Sequence, residues 1–321
     1  MKREPFVAAR KGRWGKLESL LLRLDGQRKG TDTDLEELPR LYRLVCQDLA
    51  LARHRMYGRE LVQRLNQLAL RGREQLYSRP TRYLREFASF FGRDFPRLVR
   101  ADARLFWICT LLFVAPLVGT AVLAHERPDL LYTLMSPEQL QQYEEMYDPG
   151  QRDGITRSAS QNVTMFAFYI RNNVGIDFQI FSSGLVFGIG SILSLIYNGV
   201  HFGAILGHFL QIGYQTTLLP FVVGHSSFEL IAMVIAAVAG MRLGSQVIAP
   251  GRRSRTRALV EEAPRCLRLL VGAAAMTTLA AFIEGFWSAQ PLPSEVKYAV
   301  GAAIWVLCCA WLLFAGRRDA A

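Results

Sequence analysis

The stretch LLPFVVGHSSFELIAMVIAAVAGMRLG, Leu218–Gly244, decides how this chain must be read. It is long and apolar enough to cross a hydrocarbon layer, which takes about 20 residues of helix. Yet it carries His225, Glu229 and Arg242. An ionisable side chain at the bilayer centre costs roughly 2.5 kcal/mol or more before it finds a partner, so such residues mark a buried polar contact or a site. His225 and Glu229 are four apart, which places them on one face of a helix.

Working outward, Leu105–Ala124, Ser183–Leu210, Cys266–Trp287 and Val296–Gly316 repeat the same apolar length, and with Leu218–Gly240 they make five clear transmembrane candidates. A sixth stretch, QNVTMFAFYIRNNVGIDFQIF (Gln161–Phe181), is apolar but interrupted by Arg171, Asn172, Asn173 and Asp177. Irregular polar backbone at membrane depth is tolerated only where protein buries it or it lines a cavity, so this stretch is read as a broken or re-entrant segment. Charge favours counting it as a crossing. Arg97, Arg100 and Arg104 precede the first span, and Arg252, Arg253, Arg255, Arg257, Arg265 and Arg268 follow the third clear one. Both groups face the cytoplasm only if an even number of crossings separates them. The alternative is five spans with Gln161–Arg171 flat at the interface.

The totals agree with a two-part chain. Its 321 residues are 51% hydrophobic, with a net charge of +11, a pI near 9.7 and a mean hydropathy of +0.15. Residues 1–104 hold 24 Lys/Arg against 13 Asp/Glu, and the remainder holds 14 of each, so the whole net charge belongs to the N-terminal part. That part reads as a basic cytoplasmic helical domain with a juxtamembrane helix. Thr31, Asp32 and Asp34 are N-cap candidates, Leu38, Leu41, Leu44, Val45, Leu49 and Leu51 recur near a helical period, and Pro80 interrupts the pattern. Its arginines alternate with acids and form no binding motif, which fits anionic lipid head groups and protein partners rather than nucleic acid. The opening MKREP is basic but lacks a signal peptide's uninterrupted apolar core.

Residues 105–316 form the transmembrane helical domain, with an acidic external loop over 125–160 (seven acids against three bases) and a basic cytoplasmic loop over 241–265. Residues 317–321 are a short cytoplasmic tail. The five cysteines show neither disulfide nor zinc spacing.

Several pieces together resemble the stage II sporulation protein M family of polytopic bacterial membrane proteins. They are LYRLVCQDLALAR (Leu41–Arg53), LNQLALRGREQLY (Leu65–Tyr77), and RNNVGIDFQIFSSGLVFGIGSILSLIYNGVHFGAILG with Asn172, Asn173, Gly188, Gly199 and Gly203. GHSSFELIAMVIAAVAGMRLG follows with His225, Glu229, Gly240, Arg242 and Gly244, then AAFIEGFW with Glu284. The family's helix usually opens with His-Gly, and here Ser226 stands in the glycine position. The resemblance implies a role in recruiting or anchoring cell-wall remodelling machinery, which belongs to spore formers and does not transfer by membership alone.

The intramembrane polar set is Arg171, Asn172, Asn173, Asp177, His225, Glu229, Arg242 and Glu284. It reads as a hydrogen-bonded knot, with a transport path as the rival. A metal half-site is disfavoured, because zinc needs three or four protein ligands and only Glu284, His201 or His208 could join His225 and Glu229. Glu261, Glu262 and Arg265 spell E-E-x-x-R, one residue short of the motif of intramembrane metalloproteases that trim prenylated proteins. Neither metal nor cofactor is therefore expected, and no enzyme. Gly184, Gly188, Gly199, Gly203 and Gly207, with Gly240, suggest tight helix contact or a homodimer face.

The expectation is an all-α polytopic protein of the bacterial cytoplasmic membrane with both termini cytoplasmic. It anchors or organises a membrane or cell-envelope complex with protein partners that the sequence does not name. The alternative is a permease or lipid-translocating protein with a midplane polar cavity, and an intramembrane metallo-hydrolase ranks below both.

Overall fold

The computed structural model describes residues 3–26, 32–77, 80–152 and 158–317, and those residues contain helices and turns but no strand. The chain divides into two compact units, Met1–Ser89 and Phe90–Ala321. The first unit therefore ends well before the basic run that leads into the first span.

In the first unit α1 (Arg3–Gly26), α2 (Asp32–His54) and α3 (Arg59–Tyr77) pack together, followed by α4 (Pro80–Ser89). Leu38, Leu41, Val45, Leu49 and Ala52 of α2 recur at three- and four-residue steps and are all buried. They meet Phe6, Trp14, Leu17, Leu20 and Leu21 of α1 and Leu61, Leu65 and Leu68 of α3 in one core. Asp48 is buried on that face, where it accepts from Trp14 Nε1 at 2.8 Å and pairs with Arg13 at 2.7 Å. Met56 and Gly58, both at positive φ, make the turn from α2 to α3. Thr31 lies outside the described residues, as do the side chains of Asp32 and Asp34 and residues 318–321 of the tail.

The second unit opens with a π-turn at Phe90–Asp94 and α5 (Phe95–Ala101), then α6 (Ala103–Glu126). The acidic stretch that follows is not an open loop. It holds a 3₁₀ turn (Pro128–Leu130) and the short helices α7 (Leu131–Leu134), α8 (Pro137–Tyr147) and α9 (Pro149–Arg152). Ser136 starts α8 with a capping box to Gln139. Next come α10 (Ala159–Tyr169), α11 (Gly175–Ser183), α12 (Ile189–Gln211), α13 (Gln215–Val222), α14 (Ser226–Ile248), α15 (Arg255–Ile283) and α16 (Ser294–Phe314).

Among the described residues five helices are long and apolar enough to cross a membrane: α6, α12, α14, Arg255–Ser288 and α16. This is an all-α polytopic architecture. Its outward residues, among them Trp107, Leu111, Leu193, Val306 and Leu307, are more than half exposed. That is unstable in water and suits a hydrocarbon surround. The apolar window of α14 is 61% buried against 17% for α6, so α14 is the central helix of the bundle.

Two spans begin or end elsewhere than the hydropathy alone suggests. The span read as Leu218–Gly240 is split: α13 ends at Val222, and the long helix starts at Ser226 and runs on to Ile248. Likewise 241–265 is mostly helix. Only Ala249–Ser254 separates α14 from α15, where Ser254 accepts from Arg257 N as the N-cap of α15.

The glycine stripe of α12 fixes a helix direction. A Cβ at Gly199, Gly203 or Gly207 would run into the backbone carbonyls of Phe113, Leu117 and Ala121, respectively. The two sets advance in step, so α6 and α12 are parallel. The chain between them must return across the bundle, and Ala159–Ser183 does so. This segment is neither broken nor re-entrant. It is one helical course widened by a π-turn at Ile170–Val174, where Asn172 and Asn173 sit. Gly184 and Gly240 also approach each other closely, and Gly188 takes φ 76° at the turn into α12 beside Met241. The six glycines are thus used at helix contacts and turns within one chain.

Candidate functional site

The buried polar residues gather where α14 begins. Gly224, in the turn that leads into α14, packs against Trp287, where no Cβ would fit. His225 is the N-cap residue and lies buried against the edge of Phe221, with ring centroids 5.6 Å apart. Its Nδ1 is 3.1 Å from Ser288 Oγ. Its Nε2 faces Glu229 Oε2 at 3.8 Å. Glu229 occupies the first turn of α14, where the helix dipole favours a negative charge. Ser226, in the position the family gives to glycine, accepts from Trp305 Nε1 of α16 at 3.1 Å.

Two π-turns face this helix start. One follows α15 and spans Glu284–Ser288, and the other is Ile170–Val174. A π-turn carries one extra residue, which rotates everything after it by about 100° around the axis. Glu284 and Ser288, four apart and so on one side of their segment, both reach His225's surroundings. The two turns are joined by Asn173 Nδ2, which donates to Glu284 Oε2 at 3.4 Å. Asn172 Nδ2 in turn donates to Asn173 Oδ1 at 2.8 Å. Lys297 Nζ donates to the Ser288 carbonyl at 2.9 Å. One turn along from Asn173, the buried Asp177 accepts from Thr277 Oγ1. Ligand atoms of His225, Glu229 and Glu284 all lie within 4.8 Å of one another, so among the described residues these three could hold a cation or share a proton.

The structure splits the set drawn from the sequence. Asn173, His225, Glu229 and Glu284 come together, with Asp177 one turn from Asn173. Arg171 and Asn172 are exposed, and Asp177 is matched by Thr277 rather than by Arg171. Arg242 belongs to the opposite end of α14, where it pairs with Asp102 and Glu262 while Arg265 reaches Asp102 at 2.8 Å. Glu262 and Arg265, read as part of a near-motif, are therefore members of an ion-pair clamp. At the same end Arg97 donates to Gly316 O at 2.6 Å, and Arg100 donates to Leu312 O and Ala315 O, capping the C-terminus of α16.

The remaining two candidate histidines join neither cluster. His201 lies 3.3 Å from the Tyr143 hydroxyl, and His208 Nε2 is 2.7 Å from Glu144 Oε1, both tying α8 to α12. Burial pushes the Tyr143 phenol above its ordinary range, with a further rise from Tyr197.

Sequence reasoning missed Asp102, Thr277, Ser288 and Lys297. Asp102 had a readable signal as the lone acid in RLVRADAR. A serine or threonine in an apolar helix has none, because it satisfies itself on its own backbone as readily as on a partner.

A polytopic helical bundle with a buried His/Glu/Asn cluster defines the class of protein. The family model for "Stage II sporulation protein M" matches residues 108–289, more than half of the chain, and the chain belongs to that family. A second model, "Domain of unknown function (DUF8413)", matches residues 4–78, within the first unit. An uncharacterized protein of Methanocaldococcus jannaschii is 28% identical over 121 residues, which cover 37% of this chain and 68% of that protein. No solved structure matches the chain.

Proposed function

We propose that the protein is a non-enzymatic membrane anchor that organises an envelope-associated complex, with both termini on the cytoplasmic side of a bacterial cytoplasmic membrane. The observation that carries this reading is the division of the chain. One unit closes its own core and keeps a polar, basic exterior, while the other turns apolar side chains outward. Arginines collect at one end of the bundle with Asp102, and acids dominate the stretch that carries α7 to α9, which supports the orientation. In the first unit basic residues pair with acids, as Arg64 does with Glu18 at 3.1 Å, which fits lipid head groups and protein partners better than nucleic acid.

The test replaces the chromosomal copy with residues 90–321 alone, or with full-length chain carrying Glu229→Gln. An anchor loses function with the bundle alone, although it still inserts, and keeps it with Glu229→Gln at normal abundance. Full complementation by residues 90–321 would end this reading. For orientation, Ser254→Cys is labelled by impermeant maleimide only after the membrane is opened, and labelling in intact cells reverses the assignment.

A permease is the second reading, and the paired π-turns around a buried His/Glu cluster favour it. It expects function to vanish with Glu229→Gln while abundance holds. A homodimer fits one further observation: Arg171 and Asn172 are exposed at the middle of Ala159–Ser183. A lipid-facing arginine at that depth costs ~2.5–3.5 kcal/mol, which a second copy's surface would relieve. Asn172→Cys then forms a disulfide-linked dimer in membranes on mild oxidation, and a purely monomeric band refutes it.

A further inference from the structure

We infer that His225, Glu229 and Glu284 form a binding site for one divalent first-row transition-metal ion, of the zinc, manganese or iron type. The ion would cross-link the start of α14 to the π-turn at Glu284–Ser288. Metal content is measured without any partner or transport assay, so this inference stands or falls independently of the anchor reading.

Three observations converge. The first is geometric: one imidazole nitrogen and two carboxylate oxygens, from two different helical segments, lie within 4.8 Å of one another. Ligands at ordinary bond lengths of about 2.1 Å around a tetrahedral ion sit about 3.4 Å apart, which small side-chain rotations supply. The second is electrostatic. Two carboxylates held this close inside a membrane bundle repel each other, and water cannot screen them. Lys297 Nζ lies at the same end, where it donates to the Ser288 carbonyl. A dication balances the two carboxylates directly, at the point where they approach each other.

The third is the support behind the three side chains. Ser288 Oγ holds His225 Nδ1 at 3.1 Å and leaves Nε2 as the atom that faces Glu229. Asn173 Nδ2 donates to one oxygen of Glu284 at 3.4 Å, which orients that carboxylate. Fixing the second atom of each ligand is how metal sites set tautomer and orientation. Ser288 and Asn173 each lie in a π-turn. No sulfur takes part, so the donor set is nitrogen and oxygen. The imidazole disfavours magnesium and calcium, and the absence of thiolate disfavours copper(I).

The experiment uses full-length protein in detergent, purified through a tag without histidine, stripped with a chelator, reloaded with ZnCl2 or MnCl2, desalted and measured by mass spectrometry for metals. Wild type should retain about one equivalent of one of them, and Glu284→Gln and His225→Ala less than about a fifth of that. Asp177→Asn, outside the three ligands, should keep the wild-type stoichiometry. Cobalt(II) should give a visible absorption band that zinc displaces and that Glu284→Gln lacks. If the two ligand variants fail to elute as a single peak, Glu229→Asp serves instead, with zinc retention expected to fall about tenfold or more. Wild-type protein that elutes as a single peak yet retains neither metal overturns the inference. So does a ligand variant that binds as much as wild type.

Discussion

Asp102 closes the arginine-rich end of the bundle, and replacing it with Asn should weaken the whole fold. Its carboxylate is buried and accepts from Arg242 on α14 and Arg265 on α15. Hydrogen bonds to charged groups contribute roughly 1.5–3 kcal/mol each. Two features reduce the sum. The arginine side chains keep 30% and 27% of their exposure, so water recovers part of what is lost. Arg242 also keeps Glu262, whereas Arg265 is left with Glu262 at 4.0 Å. The deficit therefore falls mainly on Arg265, and about 2–3 kcal/mol is the expected loss for Asp102→Asn. For a domain of this size that is a drop of about 5–10 °C in the unfolding midpoint. The assay is thermal unfolding of the full chain in a mild detergent, followed by thiol labelling of the buried Cys109 and Cys266. Arg265→Gln added to Asp102→Asn should cost less than the two single losses combined, because the charge left unpaired is then gone. A midpoint unchanged within about 1 °C, or strictly additive losses, would refute the clamp.

Gly203→Ala should destabilise by about 1–3 kcal/mol, since its methyl group would meet the Leu117 carbonyl and force α6 and α12 apart. Gly119→Ala, with nothing within 4 Å of its Cβ, should instead gain up to about 1 kcal/mol, and equal effects in the same melting assay would contradict the parallel contact. His208→Leu removes the 2.7 Å contact to Glu144 and should loosen α8 by about 1–2 kcal/mol, read as several-fold faster proteolysis within Pro137–Arg152 while the spans stay intact. An unchanged cleavage rate would mean that Tyr147, packed on Phe209 and Phe221, holds α8 by itself.

Much of the architecture was legible in the chain because a bilayer leaves few choices. Apolar runs of fixed length, arginines at their ends and a basic amphipathic N-terminal part follow from the cost of exposing backbone or charge to hydrocarbon. Arg97 and Arg252 argued for an even number of crossings between them, with five spans and a flat Gln161–Arg171 left as the alternative. His225, Glu229, Glu284 and Asn173 were visible for the same reason: a polar residue in an apolar run stands out.

What the sequence could not supply was who meets whom. Arg242 and His225 lie in one apolar stretch and look alike as anomalies, yet they occupy opposite ends of α14 and belong to different clusters. The π-turns at Ile170–Val174 and Glu284–Ser288 decide which side chains turn inward, and a one-residue widening of a helix leaves no mark in hydropathy. The glycines of α12 announced a close contact but not its partner, since a missing side chain fits any smooth neighbour. Apolar length is a property of each stretch alone, whereas the meeting of Asn173 with Glu284, 111 residues apart in the chain, is a property of packing and exists only in the folded bundle.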